Sequence, residues 1–174
     1  MNCNKLFSSK YVLYGNKIYI NESLQQIRMT LLHSQNESDI AHNCNLYINK
    51  LFSAACDYSK GIILSIDVDL SPICDVLIKK NIDIMKHVCK NEDKNIIEMF
   101  ILYLLIISHY AENKEQGNVI FEYLVGKYGN QLIDCAIMTH HKEIFDKVLE
   151  YGIIPTITNL NNAITERNEQ RSEE

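Results

Sequence analysis

The feature that most constrains the fold is an apolar pattern of helical spacing that recurs along the chain. The pattern is a pair of adjacent apolar residues, then two intervening residues, then further apolar residues. It occurs in Ile82–Cys89, Val119–Val125 and Glu143–Gly152. This spacing places the apolar side chains on one face of a helix. Another helix must cover such a face, because one helix cannot bury it alone. The recurrence therefore predicts an all-α fold of paired helices, in which Ile84, Val88, Ile144 and Val148 are buried.

The N-terminal region has a different pattern. Tyr11 to Ile20 contain two β-prone runs around Gly15-Asn16, a turn signal that predicts a short β-hairpin. The capping-box spacing of Ser23 and Gln26 then predicts the start of a helix. We divide the chain, a single domain over 1–174, into the hairpin and helix (1–44), the helix pairs (45–168) and a charged tail (169–174).

Two segments are similar to the ankyrin repeat, and they align with it and with each other without a gap. Ser71-Pro72 stands where that family places Thr-Pro at the start of a first helix, and Gly152 stands where a second helix ends. Equivalent second-helix positions are Ile84, Ile120 and Ile144. Their spacings of 36 and 24 residues lie on either side of the roughly 33 residues of an ankyrin repeat. The resemblance implies a solenoid, an ankyrin-like stack of antiparallel helix pairs.

Degenerate repeats rich in isoleucine, asparagine and lysine also resemble the ankyrin-like proteins of large cytoplasmic DNA viruses. Examples are poxviruses, giant amoebal viruses and African swine fever virus. The resemblance covers about residues 45–168. It implies a non-enzymatic protein–protein interaction module, a viral protein that engages a host factor of innate immunity or cell death.

Composition and charge exclude several classes of protein. The net charge is −5, and the sequence shows no patch of basic residues of the kind that binds nucleic acid. The most apolar run, from Met99 to Ile107, is about half the length of a membrane span, so it predicts a buried core helix and no membrane insertion. The first residues are followed by no apolar run of the kind that forms a secretory signal, and no cysteine pair has Cys-x-x-Cys spacing. We therefore expect a cytoplasmic protein with free thiols.

Candidate chemical sites are few. His140-His141 with Glu143 could bind a metal or exchange protons, but the resemblance assigns these positions to the turn between paired helices. Cys135 and His140 are five residues apart, which does not bring them together on a helix. We therefore expect no catalytic residue, no cofactor and no metal.

The surface expected to bind a protein partner follows from the resemblance. In ankyrin-like stacks, the first helices and the loops line the concave face. Residues at those positions, which we take as the partner-binding candidates, are Asp67, Asp69, Asp75, Met138 and Thr139. Their carboxylates would steer association with a basic partner surface more than they would add affinity.

Two alternatives remain open. One is a helical bundle like viral Bcl-2 proteins, which bind host apoptotic or signalling proteins. Residues 100–111 would then form a buried central helix surrounded by the others, instead of one member of sequential antiparallel pairs. The other is an enzyme whose pocket joins polar residues far apart in sequence.

Overall fold

The computed structural model describes residues 11–14, 17–20, 22–61, 68–89, 91 and 93–173. Its fold class is all-α, as predicted. Two four-residue strands, β1 (Tyr11–Tyr14) and β2 (Lys17–Ile20), pair antiparallel at its N-terminal end. The turn predicted at Gly15-Asn16 lies outside the described residues.

Nine helices follow in the part of the chain that the structure describes. They are α1 (Glu22–His33), α2 (Glu37–Ser59), α3 (Ser71–Cys74, continued by a π-helical segment, Asp75–Lys79), α4 (Ile84–Val88), α5 (Lys94–Tyr110), α6 (Lys114–Tyr128), α7 (Gln131–Met138), α8 (Lys142–Glu150) and α9 (Ile157–Glu173). Two of the divisions made in the sequence fall inside helices. The division at residue 44 falls inside α2, and α9 continues through most of the segment predicted as a tail.

Short polar side chains fix where several helices begin. Asn36 and Asn113 each accept a hydrogen bond at 3.1 Å from the backbone N–H three residues on, at the starts of α2 and α6. Asp83 caps α4 in the same way at 3.3 Å, and Asp93 caps α5 by accepting from the backbone N–H two residues on, at 2.9 Å. Each cap satisfies a backbone donor that the first turn of a helix leaves without a partner.

Four helices, α2, α5, α7 and α9, pack side by side in a row, and α6 and α8 pack against members of this row. Helix α2 packs on α5, α5 on α7, and α7 on α9, while α6 packs on α5 and α8 on α7. The core runs along this row, and α5 contributes much of it: Phe100, Ile101, Leu104 and Leu105 are buried. The prediction of a buried core helix in this run is confirmed. No helix of the described ranges combines the length and apolar content needed to cross a membrane.

The two segments aligned in the sequence share a helix, a left-handed residue and a second helix. The left-handed residues are Asn81 (φ 50°) and His140 (φ 56°). The alignment without a gap pairs Asn81 with His141, whereas the structure makes Asn81 and His140 the equivalent left-handed residues. The predicted equivalence is therefore wrong by one residue at the turn. The π-helical segment of α3 explains the difference, because a π turn accommodates one more residue than an α turn.

The predicted core positions are mostly correct. Ile84, Ile144 and Val148 are buried, whereas Val88 is only half-buried at the last residue of the short helix α4. Gly152 ends α8 with a φ of 85°, the left-handed conformation predicted for it.

Candidate binding surface and histidine cluster

The acidic candidates for partner binding are largely engaged within the chain. The Asp69 carboxylate forms an ion pair with Arg28 of α1 and accepts a hydrogen bond from the Ser71 backbone N–H at 3.0 Å. Its carbonyl oxygen accepts the Tyr47 hydroxyl at 2.7 Å. Asp69 therefore anchors the start of α3, and its charge is already compensated. Asp67 lies outside the described residues.

Asp75 is more accessible. It is the first residue of the π-helical segment, its side chain is 41% exposed, and it pairs with Lys79 at 3.0 Å. It also lines a cleft between α1 and α3 with Arg28 and Lys80. The Asp75 carboxylate is therefore already paired with one lysine and has two more basic side chains beside it. A basic partner would have to compete with these groups for it.

Met138 and Thr139 lie at the end of α7, on a different element from the acidic candidates. Met138 is half-buried and lines a cavity between α5, α7 and α9. Thr139 is only 7% exposed. Its hydroxyl donates to the Ala136 carbonyl oxygen at 2.6 Å and accepts from the His141 N–H at 3.2 Å. The side chain of Thr139, a partner-binding candidate, is therefore used to close the turn and offers little surface to a partner.

Helix α9 is attached to α7 through polar groups. The Asn159 side chain, 2% exposed, donates from Nδ2 to Asp134 Oδ1 at 2.8 Å, and its own oxygen accepts the Thr156 N–H at 2.8 Å. Asn162 donates to the other Asp134 oxygen at 3.1 Å. We call Asp134, Asn159 and Asn162 the polar clamp. It turns the amide-bearing face of α9 inward.

The apolar side chains of α9 consequently face solvent. Ile157, Leu160 and Ile164 are 79%, 60% and 51% exposed. Their spacing of three and four residues places them on one face of the helix. Ile154, just before α9, is 79% exposed as well. We call these four residues the exposed stripe. An ordinary surface helix buries its apolar side chains and exposes its polar ones, and α9 does the opposite.

An apolar groove adjoins the exposed stripe. It has a volume of about 370 Å³ and lies between α7, α8 and α9. Its walls include Ile133, Ile137, Phe145, Pro155, Leu160 and Ala163. Leu160 belongs to both the groove and the stripe, so the two form one continuous apolar surface.

This surface was not predicted. From the sequence, Leu160 to Ile164 are placed only within the region of helix pairs, 45–168. The spacing of Ile157, Leu160 and Ile164 does predict an apolar face. Only the structure shows that this face points outward, because Asp134, the partner of the clamp, lies on another helix.

A second feature is a cluster of His109, His141 and Glu143. One ligand atom from each side chain can be chosen so that all three lie within 4.8 Å of one another. His109 lies in the last turn of α5, His141 is the residue just before α8, and Glu143 lies in the first turn of α8. The two imidazole rings have centroids 5.4 Å apart. Sequence reasoning identified His141 and Glu143 but missed His109, because it lies on another helix.

The electrostatic setting of the cluster favours a neutral imidazole. Burial lowers the pKa of His109, and His141 and Lys114 lower it further, whereas Glu143 opposes the shift. A neutral imidazole has a nitrogen lone pair that can accept a proton or bind a metal. The cluster can therefore act as a base or as a set of metal ligands.

The cysteines offer little chemistry by comparison. Cys44, Cys56, Cys74, Cys89 and Cys135 are free thiols, and three of them are buried. Burial raises the pKa of both Cys44 and Cys135 to about 12. At neutral pH these two thiols stay protonated, and the thiolate is the reactive form.

Comparison of the chain with known proteins gives no match: no family model matches it, nor does any curated protein or solved structure. The likeness to ankyrin repeats is therefore a resemblance of short motifs. What the protein does has to be argued from its own surface and side chains.

Proposed function

We propose that the protein is a non-enzymatic protein–protein interaction module that binds an amphipathic helix of a partner protein. The binding surface is the exposed stripe together with the adjoining groove. The observation that carries this proposal is the orientation of α9, whose buried face holds the Asn159 amide and whose outer face holds Ile157, Leu160 and Ile164. An apolar face directed outward by a specific hydrogen-bonded clamp is typical of an interaction surface.

Burial of the exposed stripe would supply the driving force. Covering an isoleucine or leucine side chain completely contributes about 1.5–3 kcal/mol. Part of this gain offsets the loss of translational and rotational freedom on association. An amphipathic helix that binds in a groove makes its contacts through apolar side chains spaced three and four residues apart.

The extent of the apolar surface favours a protein over a small molecule. The groove volume of about 370 Å³ is at the low end of the range for small-molecule pockets, roughly 300–1,000 Å³. Ile157 and Ile164 lie outside its walls but remain exposed. A ligand that fills only the groove would leave them in water, whereas a helix lying along α9 would cover them.

We also propose that the helices form an ankyrin-like stack preceded by the β-hairpin. The pairs α5–α6 and α7–α8, and the row from α2 through α5 and α7 to α9, support this arrangement. In such a stack α9 is a first helix, and the partner helix takes the position that α6 and α8 hold in the earlier pairs. A bundle of the Bcl-2 kind fits less well, because α1 packs on α2 and α9 on α7, not on a common central helix.

The identity of the partner rests on the resemblance to viral ankyrin-like proteins. On that basis the partner is a host protein of innate immunity or cell death, met in the host cytoplasm. This part of the proposal is an analogy at the level of the fold and is separate from the argument about the surface.

Site-specific photocrosslinking tests the proposal. A photoreactive amino acid replaces Ile164 in the full chain expressed in cells, and cross-linked peptides are sequenced by mass spectrometry. We expect cross-links to an amphipathic helical segment of another protein, and we expect Leu160→Glu in the same chain to remove them. Leu32→Glu is the matched control, because Leu32 of α1 is 68% exposed against 60% for Leu160.

Three outcomes contradict the proposal. One is cross-linking that survives Leu160→Glu, and another is cross-linking that Leu32→Glu removes equally well. The third is a cross-link between two copies of this chain alone, which would make the surface a self-association site.

A further inference from the structure

We propose that His109, His141 and Glu143 form a binding site for a divalent transition-metal ion, with Zn²⁺ as the ion that fits best. Imidazole nitrogens and a carboxylate oxygen are ligands that zinc prefers. Among the described residues, no other group of three histidine, cysteine, aspartate or glutamate side chains brings its ligand atoms this close. The ligands lie outside the exposed stripe, but His141 also lines the groove of the proposed partner-binding surface, so the metal site borders that surface.

The distances fit a metal site after small side-chain movements. Three atoms within 4.8 Å of one another share a point at most about 2.8 Å from each, and zinc bonds of roughly 2.1 Å require each atom to move by less than about 1 Å. Glu143 is exposed and can make such a movement at little cost. His109 and His141 are half-buried, which limits how far their rings can turn.

Neighbouring aromatic rings help to hold the imidazoles in place. The Tyr110 ring meets the His141 ring edge-on, with centroids 6.0 Å apart, and Tyr58 meets Tyr110 in the same way at 5.6 Å. Side chains whose positions are fixed before binding lose less conformational freedom when a metal binds. The two histidines are therefore the preorganised part of the site, and Glu143 completes it.

Two lysines near the cluster do not occupy the site. The Lys114 ammonium group donates to the His109 carbonyl oxygen at 3.0 Å, and that of Lys147 donates to Asn118 Oδ1 at 2.6 Å. Both ammonium groups are thus engaged at other oxygens. The carboxylate of Glu143 supplies the negative charge that offsets their field at the metal position.

Two properties of the site follow from the positions of its ligands. Three protein ligands leave a fourth tetrahedral position for water, as in zinc sites with two histidines and a glutamate. Since His109 ends α5 and His141 begins α8, the ion would join these two elements. Binding to the folded state alone would then raise the stability of the protein.

Metal titration of the full chain tests the site. Metal-free protein is titrated with Zn²⁺ by calorimetry and with Co²⁺ by visible absorption, which reports the ligand geometry. We expect one ion per chain, Co²⁺ bands of a site with nitrogen and oxygen ligands, and a higher unfolding temperature with Zn²⁺. In spectra of the six histidine imidazoles, only His109 and His141 should shift as ligands.

Variants locate the ion. Glu143→Gln keeps the size of an exposed side chain, so it should fold normally and weaken Zn²⁺ binding by at least about tenfold, since even residues behind a metal ligand change affinity by that factor. His141→Ala should remove the Co²⁺ bands. His42→Ala, at an exposed histidine of α2 outside the cluster, should leave the affinity unchanged.

The proposal is overturned if Zn²⁺ and Co²⁺ fail to bind the folded chain. It is also overturned if Glu143→Gln and His141→Ala bind as tightly as the unaltered protein, or if the imidazoles that shift are those of other histidines. An ion retained after His141→Ala with its bands unchanged would place the metal elsewhere.

Discussion

Two glycines of α6 differ in what surrounds them, although both are helical. A Cβ added at Gly117 would lie 2.8 Å from the Ser108 carbonyl oxygen of α5, whereas one added at Gly126 would meet no atom within 4 Å. Gly117 therefore allows α6 to approach α5 closely, and Gly126 only makes the helix less stable. The pairing of these two helices depends on the first glycine.

Alanine substitutions at the two positions should have opposite effects. Gly117→Ala should lower the free energy of unfolding by about 1–3 kcal/mol, because the backbone must shift to relieve the contact. Gly126→Ala should raise it by about 0.5–1 kcal/mol, the difference in helix propensity. Urea unfolding followed by circular dichroism measures both. Equal effects of the two substitutions would show that α5 and α6 do not pack at Gly117.

The buried thiols predict a loss of stability in alkali. Burial raises the pKa of Cys44 from its ordinary value of 9.0 to about 12. Because the folded pKa is the higher one, the stabilisation is fully present below pH 9 and is lost as the pH rises towards 12. Over this interval the thiol should reduce the free energy of unfolding by up to about 1.4 kcal/mol per pH unit.

A comparison of cysteine variants isolates this contribution. Cys44→Ala should make the decline of the unfolding free energy between pH 9 and 11 less steep, as measured by urea unfolding at several pH values. Cys56→Ala is the control, because Cys56 is only partly buried. Burial raises the pKa of this thiol too, but the nearby Lys60 opposes the shift. A decline that is identical in the unaltered protein and in Cys44→Ala would refute the assigned pKa.

At the scale of elements, the attachment of α9 depends on the polar clamp. Asp134→Ala removes the acceptor of Asn159 and Asn162 and leaves the buried Asn159 amide without this partner, a change that costs about 1–3 kcal/mol. We expect the backbone amides of α9 to exchange hydrogen for deuterium much faster in this variant, while those of α5 are less affected. Asp146→Ala breaks only the surface ion pair with Lys142 and should change exchange in α9 little. Unchanged exchange of α9 in Asp134→Ala would mean that the clamp does not hold the helix.

The sequence predicted helices where the apolar spacing is local. The face of α8 that buries Ile144 and Val148, and the apolar helix α5, are visible in short windows of sequence. The extra residue in α3 is not, because a π turn depends on how the helix packs and not on its composition. The outward direction of α9 was equally hidden, since it is set by a hydrogen bond between residues 25 positions apart.

At the scale of the whole molecule, the acidic candidates show why surface function is hard to predict from sequence. Asp69 has the charge and loop position of a binding residue, but Arg28, 41 residues away, pairs with it. His109 and His141 show the converse, because residues 32 positions apart meet only when α5 and α8 pack. In both cases the chemistry of a residue depends on a partner that no local pattern reveals.

In the whole molecule, the proposed function makes α9 the recognition element of an all-helical protein. Its apolar side chains are exposed because a polar clamp holds its other face, and the groove beside it extends the same surface. Helical interaction modules use rigid elements of this kind, which lose little freedom when a partner binds. In the proposed function, folding and partner binding are thus linked through one helix.

Methyl NMR spectra of the full chain with the helical segment that cross-links to it test this claim most directly. Leucine and isoleucine methyl groups are labelled, and the segment is added as a synthetic peptide. We predict that the methyl signals of Ile157, Leu160 and Ile164 shift on binding, while those of Leu32 and Ile96, exposed on α1 and α5, stay in place. Shifts at Leu32 or Ile96 with no change at Ile157, Leu160 and Ile164 would contradict the account.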